Sequence, residues 1–235
     1  MELKEIYNTC MPLEKRRKER MNIWVAWVVR PLSVIMTIPF IHTKVKPSDI
    51  TIASILFSLV GFALFVIGKD DMSLKLAGWL CFFVWAILDG VDGNLARCQH
   101  TASDLGELWD AVGGYACMVL IYLSAGIAAY HDVSSFEIGE NYYFILLGGL
   151  NAVIAIFPRL IMHKKHNTMH HESQLNKKES FGIKQIIAMN VISVSGFMQV
   201  IFLFCIFFHL LNIFTVFYFV VNTAIMILSL RALLR

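Results

Sequence analysis

Apolar residues along this chain come in long blocks separated by short charged pieces, where a soluble domain of the same size would need a polar surface. A helix needs roughly 20 residues to cross the hydrocarbon of a bilayer, and several blocks reach that length. Six stretches read as full spans: Ile50–Gly68, Leu76–Ala96, Leu105–Tyr130, Tyr142–Met162, Ile186–Leu210 and Ile213–Leu234. A seventh apolar stretch, Ile23–Ile41, carries Arg30, Pro31 and Pro39. A lone Arg near the centre of a span is costly. This stretch is therefore expected to lie at the interface as an amphipathic helix, with Trp24 and Trp27 at headgroup depth. The pattern predicts an all-α integral membrane protein of six transmembrane helices plus an N-terminal interfacial helix. Residues 1–48 form the cytoplasmic or interfacial segment and residues 49–235 the transmembrane domain.

Composition agrees: 57% of the 235 residues are hydrophobic and 16% are charged. The net charge of +3 says little, but its distribution orients the chain. With six spans and an inner N-terminus, the run Lys15, Arg16, Arg17, Lys18 and Arg20 stays inside. So do Arg97, the loop with Lys164, Lys165, Lys177 and Lys178, and the tail with Arg231 and Arg235. The outer loops keep few basic residues (Lys69 and Lys75) beside Asp132, Glu137 and Glu140. A seventh span would place the N-terminal basic run outside, against the positive-inside rule. Both termini are therefore expected in the cytoplasm, with the protein in an inner or plasma membrane and no nucleic-acid partner. The scattered cysteines (Cys10, Cys81, Cys98, Cys117, Cys205) read as small buried hydrophobes, with neither metal-ligand spacing nor a disulfide framework.

Carboxylates interrupt this apolar pattern between Leu88 and Tyr115. Asp89 and Asp92 stand at i and i+3 near the end of one span and share a helix face. Asp110 stands near the start of the next, beyond a turn around Gln99–Ser103. Two antiparallel helices joined by that turn bring the three acids to one end of the bundle. At about 1.5 Å rise per residue, Asp89 lies roughly 12 Å deeper along its helix than Arg97. Ionised carboxylates at such depth are expensive unless paired or metal-bound. Three of them without a comparable basic cluster suggest a hard divalent cation, Mg²⁺ or Mn²⁺. Gly90 and Gly93 leave room for a ligand or a neighbouring helix, and Arg97 can meet a phosphate oxygen bidentately. Together these features imply a phosphorylated, metal-chelating substrate. A purely structural pairing of Arg97 with one Asp leaves two acids unexplained.

The same segment resembles the signature of the CDP-alcohol phosphotransferases, D-x2-D-G-x2-A-R-x8-G-x3-D-x3-D, with Asp89, Asp92, Gly93, Ala96, Arg97, Gly106 and Asp110 in register. Upstream, Arg30–Thr37 and Val45–Thr51 resemble the family's interfacial helix and the approach to its first span. The resemblance implies displacement of CMP from a CDP-linked alcohol by an alcohol acceptor, forming a phospholipid or a lipid-linked phosphodiester at the inner membrane face. It implies that Asp89, Asp92 and Asp110 hold metal on the diphosphate. Gly93, Ala96, Arg97 and Ser103, with Ser48 and Thr51, would line the nucleotide and phosphate site. Partners implied are membrane lipid, the CDP-linked donor, the alcohol acceptor and a second copy of the chain.

The pattern departs at its last acid, where Gly114 stands behind Gly113. In the family that Asp is a metal ligand and the proposed base for the acceptor hydroxyl, and general-base catalysis contributes typically ~10²–10⁴-fold. Three readings follow. Another carboxylate supplies the base, Glu107 one turn before Asp110 or Asp104 in the adjoining turn; or the acceptor is acidic enough to need none; or the chain is an impaired member that binds CDP-lipid or a partner protein. Glu107 has a bland reading too, as an acid in a helix's first turn. A cation transporter is a further rival, but the acids cluster at one face beside an Arg, with none in the later spans to form a relay.

Three lesser features complete the picture. Arg159, beside Pro158 near the inner end of the fourth span, is a candidate for binding an acceptor phosphate or for snorkelling to the interface. His163, His166, His170 and His171 lack the accompanying acid or Cys of a metal site and read as a solvated loop. Asn190, Ser193 and Ser195 are candidate interhelical hydrogen-bonding groups.

Overall fold

The computed structural model describes residues 3–132, 142–169 and 190–233. Among them every regular element is helical. Two short helices, α1 (Leu3–Cys10) and α2 (Leu13–Glu19), precede a single π-helical turn at Val25–Val29, α3 (Arg30–Thr37) and a 3-10 turn at Ile38–Phe40. The long helices follow: α4 (Pro47–Gly68), α5 (Met72–Cys98), α6 (Asp104–His131) and α7 (Tyr143–Met169). A shorter α8 (Met198–Phe207) and then α9 (Leu211–Leu233) complete the described chain.

Each long helix begins where local chemistry supplies partners for its free N–H groups. Pro47 opens α4 at a position that needs no donor, and Asp49 Oδ2 accepts the Lys46 N–H at 3.0 Å. Asp71 caps α5 by accepting from Ser73 N–H at 2.8 Å. Ser103 caps α6 by accepting from Gly106 N–H at 3.1 Å.

Among the described residues five helices are long and apolar enough to cross a membrane: α4, α5, α6, α7 through Ile161, and α9 through Arg231. The expected fifth span, Ile186–Leu210, takes a different form. Residues 186–189 lie outside the described residues, and the helix at 190–192 breaks into turns at Val194–Phe197 before the 10-residue α8 begins. Non-helical backbone at membrane depth is tolerated where protein buries it or where it lines a cavity. Both hold here: Val194 and Gly196 are buried, and Ser193 and Ser195 face the cavity described below.

Close helix contacts use glycine. A Cβ on Gly61 of α4 would meet the Gly78 carbonyl oxygen of α5 at 2.9 Å. A Cβ on Gly126 of α6 would meet the Phe144 carbonyl at 2.6 Å and the Gly148 Cα of α7 at 2.9 Å. Without a hydrophobic drive between helices in lipid, such backbone approach supplies much of the association energy. Aromatic rings fill the space between α4, α5, α8 and α9: Phe202 lies 5.4 Å from Phe65 and 5.0 Å from Phe214, centroid to centroid.

The stretch expected at the interface is a broken helix packed against α5, too short to span. Trp27 is 79% exposed, as an interfacial ring would be, but Trp24 turns inward and packs 6.0 Å from the ring of Phe83. Asn190 ties this stretch to the later chain, accepting from Ile23 N–H at 2.9 Å and donating to the Met21 carbonyl at 2.5 Å. At the other end of the bundle, His209 Nδ1 lies 2.7 Å from the buried Asp132 Oδ1.

Candidate active site

The turn at 99–103 folds α6 back beside α5, so the C-terminal end of α5 and the N-terminal end of α6 share one face of the bundle. A cavity of about 610 Å³ opens there. Its polar lining comprises Asp89 from α5, Glu107 and Asp110 from α6 beside Gly114, and Arg159 from α7. Its inner wall is more apolar, with Trp85, Met118, Tyr122 and Ile225, and Asn222 beside them. Glu107, Asp110 and Gly114 stand at i, i+3 and i+7, on one face of α6. Pro158 and Arg159 share the cavity wall, so α7 brings a guanidinium to the same cavity as the acids of α5 and α6.

Asp92 lies to the α4 side. It is 3% exposed, and Oδ2 accepts a hydrogen bond from Thr51 Oγ1 at 2.6 Å while Oδ1 accepts from Gly93 N–H at 2.5 Å. Asp110 stands near the start of α6, at the end of the bundle where α5 carries Asp89 and Asp92. Their oxygens are the donor type a hard divalent cation takes. Among the described residues, however, no three His, Cys, Asp or Glu side chains gather closely enough to hold an ion as they lie. The donor set fits such a metal in kind; Asp92 is the carboxylate already engaged, by Thr51 and Gly93.

Arg97 rests against Gly93, where a Cβ would lie 3.5 Å from its Nη1. Its Nη2 donates to Asn94 Oδ1 at 2.8 Å and its Nε to the Cys10 carbonyl of α1 at 3.2 Å. No carboxylate lies within ion-pair distance of Arg97 among the described residues, so the alternative of a structural Arg97–Asp bridge is not what is found. Ser103 is the exposed cap of α6, Ser48 is half-buried in the first turn of α4, and Ala96 is half-buried one position before Arg97. None of these three lines the cavity. Asp104 is exposed and likewise outside it.

Position 114 is spacious. A Cβ on Gly114 would meet no heavy atom within 4 Å, so packing does not require glycine there. The missing carboxylate is a chemical difference with room left for it.

Sequence reasoning missed the N-terminal contribution. α2 places Lys15 and Glu19 beside Arg30, with Arg30 Nη2 2.5 Å from Glu19 Oε1. Burial, with the charges of Arg30 and Arg97 nearby, lowers Lys15 to about 8. The basic run had a ready explanation in membrane orientation, which hid this second role. Asn222, a lone amide in an apolar span, was a signal available and unused; its Nδ2 donates to Asn151 Oδ1 at 2.6 Å. Lys164, Lys165, His163 and His166 fall in the last turns of α7, whereas His170, His171, Lys177 and Lys178 lie outside the described residues.

Helices long and apolar enough to cross a membrane, with no other regular element among the described residues, define an integral membrane protein with a cavity lined by acids and an Arg. The profile of the CDP-alcohol phosphatidyltransferase family matches residues 44–231, and the chain belongs to that family of phosphotransferases. The match begins within the loop before α4 and runs through the last helices, where the sequence shows only hydrophobicity. The family is generally dependent on divalent metal. No curated protein sequence matches the chain.

Proposed function

We propose that this protein is a metal-dependent transferase that displaces CMP from a CDP-linked alcohol, such as CDP-diacylglycerol, with an alcohol acceptor, yielding a phospholipid or lipid-linked phosphodiester. The observation that carries the reading is the shared cavity: Asp89, Asp110, Glu107 and Arg159 come from three helices to line it. Asp89, Asp92 and Asp110 would hold Mg²⁺ or Mn²⁺, which would supply charge neutralisation for the donor diphosphate. Thr51, Gly93 and Arg97 border the nucleotide and its phosphates, with Ser48, Ala96 and Ser103 on the approach.

The acceptor oxygen attacks the phosphorus bonded to the donor alcohol. The bond from that phosphorus to the CMP oxygen breaks, and CMP departs with the electron pair. Glu107 takes the acceptor proton, since it lines the same cavity as Asp89 and Asp110, one turn from the latter. Arg159 orients an anionic group of the acceptor. The apolar inner wall suits the lipid partner. The chain crosses the membrane six times, the N-terminal helices lie at the interface, and both termini and the cavity face the cytoplasm of an inner or plasma membrane. The chain works as a homodimer, as the resemblance implies.

Two observations on the described residues favour a second reading. The acids do not gather into a ready metal cage, and position 114 lacks its carboxylate, which suits an impaired member that binds CDP-lipid or a partner protein. Protein in lipid vesicles with Mg²⁺, CDP-diacylglycerol, CDP-choline, CDP-ethanolamine or CDP-glycerol and pooled acceptors separates the two. A new phosphodiester in the mass spectrum, lost on chelation, supports the transferase. CDP binding without product from any donor supports the second reading.

A further inference from the structure

The N-terminal helices place a second set of charges against α5, next to the signature acids. Glu19 Oε1 stands 2.5 Å from Arg30 Nη2 and 3.8 Å from Lys15 Nζ. All three side chains are largely withdrawn from solvent, at 15%, 17% and 25% exposure for Glu19, Arg30 and Lys15. The arrangement leaves hydrogen-bonding capacity over: Glu19 Oε2 and Arg30 Nε are buried without a hydrogen-bond partner. Buried polar atoms in that condition cost free energy and mark places where another ligand group fits.

Arg30 is pressed against the catalytic helix. A Cβ on Gly90 would lie 3.0 Å from Arg30 Nη1, so the guanidinium rests on the backbone of α5 beside Asp89. The charges of Lys15 and Arg30 both reach Asp89 and Asp110, and that of Lys15 reaches Asp92. Arg97, the cation of the signature, is partly committed to the Cys10 carbonyl and to Asn94. A diphosphate arriving at the acids therefore meets two further cations, held together by a single carboxylate at the end of a short helix.

We infer that Lys15 and Arg30 form a diphosphate-binding subsite on the α2 and α3 side of the acids, with Glu19 as its resident anion, displaced when the donor binds. The identity of the ligand as a CDP-linked donor rests on the proposed function; the anion subsite does not. A diphosphate offers more charge and more oxygens than one carboxylate, enough to satisfy Arg30 bidentately and Lys15 together. Glu19 keeps the two cations from repelling one another until then.

Titration calorimetry on the full-length protein in lipid nanodiscs with Mg²⁺ tests this, using CDP, inorganic pyrophosphate and cytidine as probes. Glu19→Gln should tighten CDP and pyrophosphate severalfold. Arg30→Gln and Lys15→Gln should each weaken both by about ten-fold, and Arg30→Lys should recover part of the loss, which separates charge from folding. Cytidine affinity, measured alongside, should not move in any variant. Weaker or unchanged anion binding in Glu19→Gln overturns the subsite. CDP binding insensitive to all the variants also overturns it, leaving the transferase reading intact. Pyrophosphate binding with the expected sensitivity, but no CDP binding by the wild type, upholds the subsite and contradicts the transferase reading. Failure of the wild type to bind either anion overturns the subsite.

Discussion

Thr51 Oγ1 donates to Asp92 Oδ2 across 2.6 Å, joining the first long helix to a signature carboxylate of the second. Both residues are buried, at 4% and 3% exposure, so the bond is made away from bulk water. Thr51→Val keeps the shape and removes the donor. Loss of a hydrogen bond to a charged group costs about 1.5–3 kcal/mol. A lowered melting temperature in detergent should show it, together with weaker Mg²⁺-dependent CDP binding. Unchanged values for both would mean that Thr51 does not hold Asp92 in place.

Gly114 offers a gain-of-function test. Since a Cβ there meets nothing within 4 Å, Gly114→Asp should fold as the wild type does. If Glu107 supplies the base, Glu107→Gln should lose about 10²–10⁴-fold in turnover. Adding Gly114→Asp to Glu107→Gln should then restore a large part of it. CMP release by the single and double variants measures this, and no rescue in the double variant would count against a base role at this face.

The contact between α6 and α7 should be intolerant of a single methyl group. Gly126→Ala would place its Cβ 2.6 Å from the Phe144 carbonyl, a backbone atom with little freedom to move. Overpacking of this kind costs about 1–3 kcal/mol, read as a fall in melting temperature. It should also lower CMP release, because α7 carries Arg159 to the cavity. Gly114→Ala, by contrast, should leave stability unchanged.

How far the site can be read from the sequence depends on how local each relationship is. Asp89 and Asp92 stand three residues apart on one helix, and a short turn brings Asp110 to the same end of the bundle. Those relationships follow from helical geometry alone. The field from Lys15 and Arg30 does not: it depends on α1 and α2 folding back, with Arg97 Nε reaching the Cys10 carbonyl from 87 positions away. The broken form of the stretch expected as the fifth span has a related origin. Hydropathy over Ile186–Leu210 is continuous, but Ser193, Ser195 and Gly196 break the helix where the cavity and Asn22 draw near. A Cβ on Gly196 would lie 2.7 Å from Asn22 Nδ2, so the approach of the N-terminal segment fixes that bend. Trp24 looked interfacial by residue type, but Phe83 offered it a partner inside.

Cys10 and Cys98, small buried hydrophobes on the sequence reading, bring their sulfurs to 3.4 Å apart at the junction of α1 and α5. Burial and the neighbouring Cys98 push the Cys10 thiol up to about 12, so spontaneous exchange at neutral pH should be slow. A thiol-specific oxidant such as diamide should nevertheless join them into an intramolecular disulfide, seen as two fewer alkylated cysteines by mass spectrometry. Cys98→Ser should abolish the crosslink. Full alkylation of both cysteines after oxidation would contradict the docking of α1 on α5.

CMP release by purified protein in lipid with Mg²⁺, wild type beside Asp92→Asn, tests the account most directly. The acids at the junction of α5 and α6 are proposed to carry donor activation, so release from a CDP-linked alcohol should be clear in the wild type and fall to background in the variant. Release that survives Asp92→Asn would contradict the assignment of these carboxylates. Absence of release from every donor, with CDP still bound, would contradict the transferase itself.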